Sequence, residues 1–373
     1  MVDSEIPVLI IGAGPAGLAV AGRLIDRGFD FEIVEKSHQV AHSWHNHYDR
    51  LHLHTVKHLS HLPLLPFPED YPRYVPRRRL VDYYETYARH FGIRPHFGQE
   101  VVAVVRKDDG FITSTAGGRR YRSSRVVVAT GLNRKPNLPS LPGEDGFAGR
   151  VVHSRSYHDP GPFLGSRVLV VGMGNTGAEI ALDLCENGVD ASISVRGPVN
   201  IVPRDVLGRP TQLTGLALSR LPEWLGDRIG VGLRRLTVGD LSRFGLETPG
   251  LPPNAQLREE GKTPVIDVGT VARIRSGEIE VLREIDRLEG GEVVFVDGSR
   301  RAFDMVILAT GYKPSLPDLL GDLAADLPDP PPVVGAGALE GLYFIGFDNH
   351  HPGGVLGAIF RESEEIARDL AVG

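Results

Sequence analysis

The stretch VLIIGAGPAGLAVAGRLIDRG, residues 8–28, is matched without a gap by VLVVGMGNTGAEIALDLCENG, residues 168–188, at a constant offset of 160. In each copy a run of four β-branched or leucine residues reaches a glycine. Two more glycines follow in a G-x-G-x-x-G frame, and apolar residues then recur at helical spacing up to Gly28 or Gly188. Each copy reads as strand, tight turn and helix. The pair predicts an α/β protein with two Rossmann-like dinucleotide-binding domains.

The chemistry of the frame is specific. Gly12 and Gly172 allow the turn, Gly14 and Gly174 let the backbone approach a pyrophosphate, and Gly17 and Gly177 permit close helix–strand packing. The helix N-terminus supplies N–H donors and a partial positive charge for the anion. After the first turn the strand FEIVEK carries Glu35, 18 residues beyond Gly17, where a carboxylate can accept from both ribose hydroxyls of an adenosine. That suits FAD or NAD. After the second turn Val195 stands at the position of Glu35, with Arg196 just beyond it. Loss of the carboxylate together with a nearby guanidinium attracts a 2′-phosphate, so the second site favours NADPH.

Two further segments, VVVATG at 126–131 and VILATG at 306–311, are short apolar strands ending in Ala-Thr-Gly, each followed by a proline-containing connection. They divide the chain into a discontinuous FAD-binding domain, residues 1–142 plus 301–373, and an inserted NADPH-binding domain, residues 147–300.

Composition narrows the alternatives. With 41 Lys+Arg against 47 Asp+Glu the net charge is −6, and the 373 residues are 41% apolar and 24% charged, an ordinary globular balance of about two domains. There is no basic footprint for nucleic acid. Arg77-Arg78-Arg79 reads as a solvated triplet. The acidic start and the glycine- and proline-broken first apolar run predict a cytoplasmic protein without a membrane segment. The single cysteine, Cys185, excludes an intrachain disulfide and a Cys-x-x-Cys redox pair. Nothing in the sequence sets an oligomeric state.

With these motifs the chain resembles the two-dinucleotide-binding-domain flavoproteins, and the missing cysteine pair separates it from their disulfide reductases. FAGRVVHSRSY, residues 147–157, matches the F-x-G-x-x-x-H-x-x-x-(F/Y) signature of the flavin-containing monooxygenases through Phe147, Gly149, His153 and Tyr157. YDRLHLH (48–54), LPFPEDYPRY (65–74), GKTPVIDVG (261–269), RIRSGEIEV (273–281) and LATGY (308–312) resemble the YUCCA-type, indole-3-pyruvate monooxygenases of that class. The segment GFDNHHPGGVLGA, 346–358, departs from their pattern by an Asn-His-His-Pro insert.

The resemblance implies an NADPH-dependent FAD monooxygenase that takes O2 and a small-molecule substrate and acts through a flavin C4a-(hydro)peroxide. Oxidative decarboxylation of an arylpyruvate is the first expectation; N-, S- or ketone oxygenation, or an NADPH oxidase releasing peroxide, are the alternatives. The expected cofactor contacts are Gly12, Gly14, Pro15, Ala16, Gly17, Glu35, Lys36, Trp44, His52, Val101, Thr130, Gly131 and Asp348. Tyr157, Gly172, Gly174, Asn175, Thr176, Gly177, Arg196, Thr310, Gly311 and Tyr312 complete the set. Eight of the 14 histidines fall between His38 and His61, but no metal-ligand spacing accompanies them, so no metal is expected. His54, at a position where related enzymes face the reactive flavin carbon, and Lys57 are the candidate catalytic residues; packing and a surface salt bridge are their structural alternatives.

Overall fold

The computed structural model describes residues 5–325 and 327–372. It divides into two units, 1–46 with 55–135 and 312–373, and 47–54 with 136–311.

In the first unit strand β1 (Glu5–Ile11) leads through the glycine turn into helix α1 (Pro15–Asp26) and on to β2 (Glu32–Val34). Strands β3 (Val101–Lys107), β4 (Gly110–Thr115) and β5 (Arg120–Val128) complete a path β2-β1-β5-β4-β3. β1 is parallel to β2, with Leu9 opposite Glu32, and to β5, with Leu9 opposite Val126. The long β5 has two further partners besides β1: its first half is antiparallel to β4, and Val126–Val128 pair in parallel with Leu342–Phe344. Leu9, Ile11, Val34, Val126, Val128, Leu342 and Phe344 form the core against this sheet. Runs of apolar residues with no polar alternation suit strands covered on both faces.

The second unit repeats the scheme. Strands β6 (Arg150–His153), β7 (Arg167–Val171), β8 (Asp190–Ser194), β9 (Glu280–Leu282) and β10 (Met305–Leu308) form a parallel sheet in the order β9-β8-β7-β10-β6. Helix α2 (Asn175–Glu186) follows the glycine turn after β7. Both sequence-expected Ala-Thr-Gly strands lie beside a glycine-turn strand, β5 beside β1 and β10 beside β7. This moves the expected boundaries: β10 is an internal strand of the second sheet, so the chain leaves that unit after Gly311 rather than near residue 300, and enters it at Pro136 rather than at 147. Residues 47–54 also belong to the second unit, with Tyr48 in its core and Leu51 packed against it.

The last helix, Gly354–Val372, carries a buried carboxylate. Glu362 Oε2 accepts a 2.8 Å hydrogen bond from the Gly346 N–H, which holds the turn leading to Asp348. Burial, with the Asp348 charge adding to it, pushes Glu362 up to about 7 against the Gly346 bond. The folded chain therefore binds this proton more tightly than the unfolded chain. The contribution is fully present below about pH 4.5 and is lost as pH rises through 7, a swing of about 3 kcal/mol. Glu362→Gln keeps an acceptor for Gly346 and removes the charge. It should raise the thermal midpoint relative to the parent at pH 8 and change it little at pH 5; equal effects at both pH values would show that folding does not raise the Glu362 carboxyl above its unfolded range.

Candidate functional site

The first glycine turn is built by steric necessity. Gly12 sits at φ +109°, donates its N–H to Val34 O at 2.8 Å, and would place a Cβ 2.6 Å from Ala129 O. A Cβ on Gly17 would lie 1.9 Å from Gly12 O. Gly14 is different: its backbone is extended, and a Cβ there meets no described atom within 4 Å. Pro15 opens α1 without needing a donor partner, Ala16 and Gly17 are buried behind it, and no side chain caps the helix. The first-turn N–H groups thus face open space, the arrangement that receives an anion.

Glu35 stands at the end of β2, 8% exposed. Its Oε2 accepts from Ala13 N–H at 2.8 Å and its Oε1 from Ser37 N–H at 2.9 Å, which fixes the carboxylate beside the turn. A cavity of about 510 Å³ adjoins it, lined by Lys36, Ser37, His38, Gln39, His42 and Glu100. The Thr130 hydroxyl is buried with no hydrogen-bond partner among the described residues, and Gly131 follows at φ +73°. An open cradle, an oriented carboxylate and an unpaired buried hydroxyl fit a dinucleotide with a ribose to hold.

The second turn copies the first. Gly172 sits at φ +108°, donates to Ser194 O at 2.9 Å and would place a Cβ 2.8 Å from Ala309 O. A Cβ on Gly177 would lie 1.9 Å from Gly172 O, and Gly174 is open. The side chains around it differ. Val195 is buried where the first unit has Glu35, and Arg196 is exposed with no ion pair among the described residues. Asn175 opens α2, but its Oδ1 accepts from Ile266 N–H at 2.7 Å, so its side chain braces the neighbouring strand; Thr176 is the next residue of the helix. The Thr310 hydroxyl, unlike that of Thr130, donates to Asn137 O at 2.5 Å.

The linker signature is a brace. His153 Nδ1 accepts from Arg155 N–H at 3.0 Å, so the proton sits on Nε2, which donates to Gly311 O at 3.1 Å. Burial lowers this imidazole despite the Gly311 bond, which keeps it neutral. Tyr157 is fully buried, and its hydroxyl donates to Asp183 Oδ2 at 2.7 Å. Burial and that bond push the phenol far above its ordinary range, so it stays protonated. Tyr157 is therefore a packing and hydrogen-bonding residue of the second unit.

The other expected residues are spread out. Trp44 packs against Tyr84 with ring centres 5.9 Å apart, and Val101 is a buried sheet residue. His52 is exposed, its Nδ1 2.6 Å from Arg50 O, and Tyr312 begins the return to the first unit. Burial alone would raise Asp348, but the bonds from His350 outweigh it and hold the carboxyl below its usual range. Lys57 Nζ donates to Glu69 O at 2.8 Å and Tyr71 O at 2.7 Å, a tie between loops of the first unit rather than the surface salt bridge weighed above. His54 lies in the second unit, with Nε2 2.7 Å from Glu179 Oε1. The two candidate catalytic residues thus fall in different units. Sequence reasoning missed Glu179 as the partner of His54, and Asp183 and Glu186 as partners of Arg50; the three carboxylates share one face of α2 through their i, i+4, i+7 spacing.

Two glycine cradles, each beside parallel strands of its own sheet and each flanked by an Ala-Thr-Gly strand, define a flavoprotein of the two-dinucleotide-domain class. Residues 6–325 match the flavin-binding monooxygenase-like family, and the chain belongs to it. It is 40% identical over 381 residues to the indole-3-pyruvate monooxygenase YUCCA6 of Arabidopsis thaliana, an alignment covering 97% of this chain and 89% of that one. Among solved structures it is similar to a doubly substituted flavin monooxygenase from Stenotrophomonas maltophilia, with TM-score 0.77, 21% identity and 99% of each chain covered. The cyclohexanone monooxygenase of Rhodococcus sp. Phi1 bound to NADP+ matches with TM-score 0.72 and 21% identity over 98% of this chain and 84% of that one.

The two kinds of glycine separate by experiment. Gly14→Val enters open space and should cost the cofactor-stripped protein no more than about 1 kcal/mol, while abolishing retention of flavin. Gly17→Ala drives a methyl into Gly12 O and should cost about 1–3 kcal/mol or more before any cofactor is added. Denaturant melts of the stripped proteins and the flavin absorbance of the purified ones read both effects; full flavin occupancy in Gly14→Val would remove the first cradle from consideration.

Proposed function

We propose that the chain is an NADPH- and O2-dependent FAD monooxygenase that oxidatively decarboxylates an arylpyruvate, with indole-3-pyruvate as the substrate. The carrying observation is identity to an indole-3-pyruvate monooxygenase over 97% of the chain, both cradles included. The overall change balances as arylpyruvic acid, O2, NADPH and a proton giving arylacetic acid, CO2, water and NADP+.

In this reading FAD occupies the first cradle. The first-turn N–H groups of α1 hold its pyrophosphate, Glu35 accepts from the adenosine ribose, and the Thr130 hydroxyl gains the partner it lacks. NADPH occupies the second cradle, where α2 receives the pyrophosphate and Val195 leaves the 2′-phosphate unopposed. Arg196, exposed beside it, supplies a charge-assisted contact. Bound flavin supplies the hydride acceptance and the oxygen chemistry; the chain's task is to bind, orient and exclude water. Among the described residues no helix is long and apolar enough to cross a membrane. A cytoplasmic location belongs to the same reading.

Two measurements test it. Aerobic turnover with NADPH against a panel of arylpyruvates, amines and sulfides should give arylacetate and CO2 from the first group; efficient oxygenation of an amine or sulfide with no indole-3-acetate would overturn the substrate assignment. Arg196→Ala should raise the KM for NADPH by about tenfold to a hundredfold, the worth of roughly 1.5–3 kcal/mol for a charged contact, and leave the KM for NADH nearly unchanged. Equal losses for both would make Arg196 a structural residue.

A further inference from the structure

Residues 47–54 interrupt the first unit: the chain leaves it after Asn46 and rejoins it at Thr55. In between, the segment lies on the second unit along one face of α2. Tyr48 is 4% exposed and packs edge-on to Tyr157, ring centres 6.4 Å apart, and Asp49 N–H donates to His158 O at 2.8 Å. The Arg50 guanidinium pairs with Glu186 and reaches Asp183 at 3.8 Å. His54 Nε2 lies 2.7 Å from Glu179 Oε1. Each carboxylate on that face therefore has a basic partner from one eight-residue segment.

The need for these partners is electrostatic. Glu179 and Asp183 are 4% and 8% exposed, and burial raises the Asp183 carboxyl against the Tyr157 bond and the Arg50 charge. Buried carboxylates stacked along one helix face repel one another and cannot rely on water. Glu179 is four residues from the start of α2, so the same helix turn that would receive the second dinucleotide's pyrophosphate carries a buried negative charge about 6 Å along the axis. Covering that face with Arg50 and His54 makes an anion at the helix end tolerable.

We propose that residues 47–54 form a strap clasped to α2 by His54–Glu179 and Arg50–Asp183/Glu186, and that His54 and Arg50 are positioning residues for NADPH rather than groups acting on oxygen. This rests on the reading that the second cradle takes NADPH. The strap is continuous with Lys36–His42, the segment beside Glu35 in the first cradle, so one run of chain touches the framework of both sites.

The test is a double-substitution cycle on the FAD-loaded enzyme, with trypsin cleavage after Arg50 as a readout independent of turnover. His54→Leu, which leaves Glu179 buried without its partner, should raise the KM for NADPH roughly tenfold, and either His54→Leu or Glu179→Leu singly should speed cleavage of the Arg50–Leu51 bond relative to cleavage after the exposed Arg301, which reports general unfolding. The combined His54→Leu/Glu179→Leu protein replaces the pair by two apolar side chains. It should recover most of the NADPH affinity and of the Arg50 protection, because removing both members of a buried pair costs far less than removing one. NADP+ should slow the Arg50 cut in the parent. Two results overturn the proposal: additive losses in the combined protein, or a combined protein with Arg50 protected and NADPH bound normally whose electrons nevertheless pass to hydrogen peroxide, which would give His54 a role in oxygen chemistry. Should NADPH fail to reduce the parent flavin, the functional reading falls, and protection of Arg50 across the cycle still decides whether the clasp exists.

Discussion

The contact on which the rest depends is between two glycines. At Gly17 the helix passes so close to the preceding turn that a single methyl would sit 1.9 Å from the Gly12 carbonyl oxygen, and the second unit repeats the distance at Gly177 and Gly172. Such proximity fixes where α1 and α2 begin relative to β1 and β7. It also fixes the adjoining strand, because Gly12 and Gly172 are closed in by the carbonyls of Ala129 and Ala309 at the ends of β5 and β10. Three chain segments are thereby locked at one corner of each sheet. That corner leaves one surface unfilled, at Gly14 and Gly174, and helix N–H groups line it.

On this shared backbone the ligand preference is written in a few side chains. Glu35 is anchored by two backbone N–H groups, so its position is preset before any ribose arrives. At the matching place Val195 contributes only packing, and the next residue is a guanidinium. The Ala-Thr-Gly strands diverge similarly: Thr310 has its hydroxyl satisfied by Asn137, whereas Thr130 holds a buried hydroxyl in reserve. One fold thus offers a carboxylate and a free hydroxyl at one site and neither at the other.

The strand–turn–helix repeats were legible because they are local: four apolar residues, three glycines and a helical period lie within 21 residues. The unit boundaries were less so. VILATG looks like a returning edge from its sequence, but β10 pairs on both sides, with β7 and β6, and only the sheet order reveals that. The run of histidines is dispersed in the same way. His45 approaches Glu85 in the first unit, His54 approaches Glu179 in the second, and His61 packs against Phe67 and Phe360. The chain crosses between units at 46/47 and again at 54/55, so closeness in sequence says little about closeness in space. Lys57 is tied to two backbone carbonyls, contacts that its sequence position gives no sign of.

The face of α2 explains why such a crossing would be retained. A helix that presents its N-terminus to an anion gains nothing from buried carboxylates on its flank, and two of them at i and i+4, with an exposed third at i+7, are a standing cost. Tyr157 can satisfy one oxygen of Asp183 but carries no charge. The partners have to come from outside the helix, and the strap brings the Arg50 guanidinium to Asp183 and Glu186 and the His54 ring to Glu179. A carboxylate ladder of this kind favours the strap over any neutral segment, since an apolar replacement would leave charges buried and unpaired. In the proposed clasp the acidic residues of α2 are the half of the contact that the helix contributes, and Arg50 and His54 the half that the strap contributes.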